Sequence, residues 1–298
     1  MTKENDSSKR NAPTARNDGL LKGLRHEIAD LGDGIVEAAK WVGRRPLHVW
    51  LRAGVLIAAW FIWSLTAAHL PRGFFTTPTE TARALADMLQ DFRQLYLRAI
   101  VNTLYVYWTG LLISALIGIP LGLFLAAVPL MGRTFTPYVN ALAATPLIAL
   151  MPMVILIFGL GDGSKILIVT LGAIMPVIIN SYAGLRNADP KLDEMARAYG
   201  FSRIALWRHV RLPAAFPVIM AGLRLGATTG LVTAVVADIY MAMTGLGALL
   251  IAYGNSFLMG NYLIVMLTLA AIGVGTTALL SAIERLLTPK PVRRRLYS

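Results

Sequence analysis

The chain reads as an all-α, polytopic membrane protein with about six transmembrane helices, and three observations predict it. Hydrophobic residues make up 56% of its 298 residues and the mean hydropathy is +0.60, so several stretches must face lipid. Apolar runs of membrane length recur, as in KILIVTLGAIMPVIINSYAGL (165–185) and PAAFPVIMAGLRLGATTGLVTAVVADIYMA (213–242). Basic residues crowd beside those runs and leave a formal net charge of +12, a placement that orients spans and meets anionic lipid. The chain has no cysteine, which excludes disulfides, thiolate metal sites and a cysteine nucleophile.

Taken in order, residues 1–47 form a cytoplasmic N-terminal segment. Residues 1–18 are polar, lack the short apolar core of a cleavable signal, and read as a disordered tail. Leu21, Leu24, Ile28, Leu31, Ile35 and Val42 then keep near-helical phase opposite Lys22, Arg25 and Asp30. An amphipathic helix on the inner membrane surface and a plain soluble helix both fit this pattern. The transmembrane domain covers 48–286. Its first span, about 48–70, carries Arg44, Arg45 and Arg52 toward its start and Trp60 and Trp63 toward the far interface. Residues 71–98 read as an external loop with a short surface helix patterned by Leu85, Met88, Leu89 and Phe92.

The second span, about 103–128, contains Gly118-Ile119-Pro120-Leu121-Gly122, which allows a kink and close helix approach. The third, about 137–158, is interrupted by Pro146 and Pro152. FGLGDGSK (158–165) makes a tight external turn into the fourth span. The fifth covers about 213–242, and TGLGALLIAYGNSFLMGN (244–261) reads as a half-embedded hairpin or helix. The sixth is about 262–283, followed by a basic cytoplasmic tail, 287–298, with Arg293, Arg294 and Arg295. Both termini are then cytoplasmic, since the 186–211 loop is rich in Lys and Arg and the 243–261 loop has none.

Between the fourth and fifth spans lies LDEMARAYGFSRIALWRHVRLP (192–213), too charged to sit in lipid. It reads as two short helices with a sharp turn. Asp189 caps the first helix and Pro190 takes its first position, with Asp193 and Glu194 near the positive end of its dipole. Gly200 stops that helix in a left-handed conformation, Ser202 caps the second, and Pro213 ends it. Leu192, Met195, Ala196 and Tyr199, then Ile204, Trp207 and Val210, give each piece one apolar face. The outline also fits a DNA-binding helix-turn-helix. Such a reader needs its second helix free to enter a groove, and this one runs into a membrane span, so nucleic acid is excluded as a partner.

Glu194, Ala196, Gly200, Val210, Leu212 and Pro213 fit the signature E-A-A, three residues, G, nine residues, I-x-L-P. In this respect the chain resembles the permease subunits of binding-protein-dependent ABC importers. Met195 and Val210 depart from the signature but keep an apolar face. The resemblance implies a type I ABC importer permease fold over about 97–286, in the bacterial inner membrane, with 189–213 as the loop that docks into a cleft of a cytoplasmic ATPase. It also implies a second copy of the permease, an ATPase dimer and an external or periplasmic solute-binding protein. TPLIALMPMVILIFGLGDGSK (145–165), Asn180 and Gly245-Leu246-Gly247 are similar to the nitrate, sulfonate and taurine branch; Asp238 stands where that branch often has glutamate. Relatives in that branch also handle pyrimidines and aromatic acids, which leaves the solute open.

No catalytic or metal site is expected. No phosphate loop ending in Gly-Lys-Ser/Thr occurs, so ATP must be handled elsewhere; the resemblance implies that the partner ATPase binds ATP and Mg and that this chain is a transport subunit and no enzyme. His26, His48, His69 and His209 lack metal-ligand spacing. The candidate pathway residues are Asn180, Arg224 and Asp238. Arg224 and Asp238 lie roughly 21 Å apart along one helix and cannot pair with each other. Arg224 either meets an anionic substrate or supports the fold near the cytoplasmic end. Asn180 either lines a path or bonds across helices. Asp238 is expected to hold the glycine-rich hairpin or a docked binding protein. The competing function is a secondary transporter or channel acting without an ATPase, which an inverted repeat or a buried acidic relay would support. The sequence shows neither.

Overall fold

The computed structural model describes residues 47–71, 73–188, 190–241 and 244–288. The amphipathic N-terminal pattern, Arg72, the Asp189 cap and the basic C-terminal tail lie outside the described residues. Helix α1, Leu47–His69, belongs almost wholly to a separate compact unit, Met1–Thr66, and is described alone. It is long enough to span, and Trp60 and Trp63 meet edge to face at 6.2 Å.

The second unit holds α2 (Pro78–Gln90), α3 (Arg93–Ala127), α4 (Pro129–Ala144), α5 (Met151–Phe158) and α6 (Asp162–Arg186). It continues with α7 (Pro190–Ala198), α8 (Arg203–Leu206), a π turn (Trp207–Arg211), α9 (Leu212–Met241), α10 (Leu246–Asn255) and α11 (Met259–Leu287). Among the described residues five helical runs are long and apolar enough to cross a membrane, or six if the bent pair α4–α5 counts as one.

Helices α3, α6 and α9 form the packed centre. Val106, Tyr107 and Leu111 of α3 meet Val169 and Ala173 of α6 and Met220, Ala227 and Ala234 of α9. Lipid is as apolar as this core, so burial alone does not hold the helices together; close approach and cross-helix hydrogen bonds must. Both are present. A Cβ added to Gly122 of α3 would come within 2.5 Å of the Ile178 carbonyl on α6, the close approach expected of the Gly-Ile-Pro-Leu-Gly element. Ser114 Oγ donates to the Thr170 carbonyl across the same seam at 3.0 Å. Pro176 has no N–H to return to the Gly172 carbonyl, and Thr229 Oγ1 of α9 donates to that carbonyl instead, at 3.0 Å.

A second core lies at the end of this unit that carries α2 and α10. Met88 of α2, Tyr96 of α3, Leu246 and Leu250 of α10, and Val265 of α11 are buried together. Thr77 and Glu80 form a reciprocal capping box that starts α2, with Pro78 in the first turn. Of the apolar residues expected to pattern this helix, Met88 is buried while Leu85, Leu89 and Phe92 stay exposed. The 244–261 segment resolves into α10, whose 10 residues are too short to span.

Three expectations are corrected. The third span is not one interrupted helix: α4 and the Leu147–Phe158 segment are bent by 80°. Pro146 is the cause, since it forces Thr145 into extended backbone, ψ 131°. Pro152 interrupts nothing, because it sits in the first turn of α5, where its missing N–H is harmless. Helix α3 begins at Arg93, not near 103, and runs 35 residues. Finally, Pro213 does not end the second helix of the charged loop. A continuous run of 39 residues extends from Arg203 to Met241. The π turn, in which Leu212 N–H reaches back to the Trp207 carbonyl, widens the helix where the proline ring would otherwise clash.

Candidate functional site

The charged loop folds as its residue types dictate. Helix α7 ends when Gly200 takes φ +75°. Phe201 N–H then bonds the Ala196 carbonyl at 3.0 Å and Gly200 N–H the Arg197 carbonyl at 2.9 Å. These are the two bonds of a Schellman motif, and they require a left-handed residue at that glycine. Ser202 accepts from the Ala205 N–H at 3.3 Å and starts α8. Arg211 closes the loop on itself. Its Nε donates to both Asp193 oxygens at 3.1 Å, a second guanidinium nitrogen meets the same carboxylate, and the guanidinium lies 5.7 Å from the Trp207 ring. The hydrogen bond from Arg211 holds the Asp193 carboxyl below the usual range against the opposing effect of burial, and the charges of Arg211 and Arg197 add to it.

Of the six motif residues, Ala196 is buried and seats α7, whereas Glu194 and Gly200 are exposed. Val210 and Pro213 are half-buried and Leu212 is 40% exposed. The apolar faces read from the sequence are not all turned inward. Met195, Tyr199 and Ile204 are 54%, 78% and 81% exposed, large apolar side chains left open to solvent.

The intramembrane residues do not form one site. Asn180 donates to the Pro176 carbonyl of its own helix at 2.8 Å, so the expected bond across helices is absent from it. Arg224 pairs with Glu284 of α11, the local partner that a structural role requires. Asp238 is 1% exposed and pairs with Lys165 of α6 at 2.7 Å. Its second oxygen accepts from Thr103 Oγ1 of α3 at 2.8 Å and from the Gly247 N–H at 3.4 Å.

Lys165 also donates to the Thr244 carbonyl at 2.8 Å and to Thr244 Oγ1 at 3.0 Å, and Thr103 Oγ1 accepts from the Leu246 N–H at 2.8 Å. The Thr-Gly-Leu-Gly turn is therefore fastened onto a buried ion pair from three sides. Gly245 has φ +99°, and a Cβ there would fall 2.1 Å from the Asp238 carboxylate. Asp238 thus accepts from the Gly247 N–H from inside the fold, where it is buried.

Lys165 and Glu284 are not singled out by sequence reasoning: the sequence places Lys165 in the external turn and Glu284 one residue beyond the end of the sixth span. Each leaves a trace in the sequence, a charge adjoining a membrane-length apolar run, Lys165 before one and Glu284, followed by Arg285, after another.

Residues 118–293 match the family described as binding-protein-dependent transport system inner membrane component. The chain belongs to this family. Similar members include the putative aliphatic sulfonates transport permease of Escherichia coli (strain K12), 40% identical over 52% of this chain and 59% of that protein. The chain thus aligns with about three fifths of that relative's length. The taurine transport system permease of the same organism is 28% identical over 84% of this chain and 93% of its own. Among solved structures, a chain of the MetNI methionine ABC transporter in inward-facing conformations shares the fold. Its TM-score is 0.54, with 22% identity over 67% of this chain and 99% of that one. The named relatives are transport permeases. The all-α, multi-span architecture expected from the sequence is the architecture of this family.

Proposed function

We propose that this permease is the membrane-spanning subunit of an ATP-driven importer, and that it couples to a separate cytoplasmic ATPase through residues 189–213. The observation that carries this reading is the loop itself. The Schellman-stopped helix α7 leaves Met195 and Tyr199 exposed at its end, Ile204 is exposed on α8 after the turn, and α8 is continuous with a span. A partner seated on the patch therefore pushes on a rigid rod. Glu194 stands exposed beside it, free to meet a charge on the ATPase.

The full assembly in this reading contains two copies of the permease, an ATPase dimer that binds ATP and Mg, and an external solute-binding protein. It sits in a bacterial inner membrane with both termini cytoplasmic. The names of two relatives, one for aliphatic sulfonates and one for taurine, favour a small sulfonate-bearing solute over nitrate. Arg224 is held by Glu284 of α11 and the Asn180 amide by its own helix backbone, which favours structural roles for both over reading the solute.

The test is uptake in proteoliposomes containing the whole complex, with and without ATP on the nucleotide side and with and without a proton gradient. Uptake is expected to follow ATP and to ignore the gradient. Uptake that needs the gradient and ignores ATP would instead make the chain a secondary transporter.

A further inference from the structure

A cleft of about 350 Å³ opens within the loop, lined by Arg197, Phe201, Arg203, Leu206, Trp207 and Arg211. We propose that it binds the phosphate of an anionic phospholipid headgroup. From the proposed function this takes only the placement of the loop at the membrane face.

Charge comes first. Three arginines line the cleft and one carboxylate, Asp193, answers them. That carboxylate is engaged by Arg211, which it orients over the Trp207 ring. Arg197 and Arg203 are exposed and bring two planar donor forks to the cleft, a geometry that matches phosphate oxygens bidentately. Phe201, Leu206 and Trp207 supply apolar walls that water does not require and glycerol carbons can cover.

Depth comes second. Trp207 lies five residues before Leu212, where the apolar run begins, and the helix is unbroken between them. With the hydrocarbon edge taken at Leu212, about 1.5 Å per residue puts Trp207 roughly 7–8 Å outside it, in the layer that headgroups and tryptophans share.

Direction comes third. Met195 and Tyr199 are one turn apart on α7, and Arg197 stands about 200° round the helix from each. The arginine therefore faces away from the apolar patch assigned to the ATPase. Basic pockets on the cytoplasmic side of membrane helices are suited to anionic headgroups.

The experiment is native mass spectrometry of the full-length protein released from micelles containing phosphatidylglycerol or phosphatidylcholine. The wild type should retain phosphatidylglycerol over phosphatidylcholine by about tenfold or more, and R197Q/R203Q should bring the two near parity. R133Q/R186Q removes the same charge from exposed positions outside the cleft and should keep the preference. An equal loss in both double variants would reduce the effect to general surface charge and overturn the site. Displacement of the lipid by millimolar inorganic phosphate would assign the cleft to a soluble phosphate and overturn the lipid source. Copurification of the ATPase is read in parallel. Loss of ATPase from R197Q/R203Q with lipid preference unchanged would give the cleft to the ATPase. An ATPase that fails to copurify even with the wild type would count against the coupling reading and leave the lipid result standing on its own.

Discussion

Lys165 and Asp238 are each 1% exposed, so each is tolerable only because the other is there. Lys165→Met alone should strand a carboxylate in the protein interior and cost about 3–5 kcal/mol. Lys165→Met combined with Asp238→Leu removes both charges and should recover much of that loss. Thermal melting of the detergent-purified variants compares them, and a double variant worse than the single would refute mutual dependence. Asp193 is a milder case, because it lies near water. Its carboxyl is held down by Arg211, so the pair contributes fully above the ordinary carboxylate range. That contribution is lost as pH falls through the depressed value. Hydrogen exchange in α7 should therefore be insensitive to protonation of this pair from pH 8 to about 5 and rise only in stronger acid. Asp193→Asn should cost about 0.2–1 kcal/mol. Single charges were the least legible feature of the sequence. Asp238 and Arg224 stood out inside an apolar run, but their partners sit 73 and 60 residues away in the chain, and no local pattern encodes which distant charge lies at the same depth.

Elements with a local signature were legible almost to the residue. The left-handed Gly200 and the Ser202 cap follow from side-chain chemistry within a few positions, and both are in place. Gly200→Val puts a β-branched residue at φ +75°, where nothing crowds the Cβ but the backbone itself resists. The subunit should insert and express normally while transport falls severalfold through a poorly seated loop. Wild-type uptake at equal expression would contradict the role given to this turn. Proline positions were harder to read, because the same ring breaks, bends or starts a helix according to register. Pro146 bends the chain by 80°, Pro152 begins α5, and Pro213 is absorbed by a π turn. Composition alone does not separate these three outcomes, because they depend on which carbonyl faces the ring.

At the scale of the molecule, span count and the charged loop follow from hydropathy, and the described residues hold five or six membrane-length runs. Sidedness is open to a clean measurement, since there is no native cysteine. Cysteines placed singly at Ser8, Ser256 and Ser298 should react with a membrane-impermeant thiol reagent in intact cells at Ser256 alone, given access through any outer membrane. Labelling at Ser8 or Ser298 in its place would invert the topology. The run from Arg203 to Met241 adds a mechanical consequence. Its 39 residues make a rod of about 58 Å whose far end carries Asp238 and, through it, the Thr-Gly-Leu-Gly turn. The π turn inserts one residue beyond α-helical register between the loop and that rod, and so sets the loop's azimuth by about 100° relative to an unbroken α-helix. The direction in which the loop presents Met195 and Tyr199 therefore rests on a single residue's worth of torsion. Any twist that straightens those five residues into regular helix would swing the apolar patch around the axis while leaving the outer turn in its place.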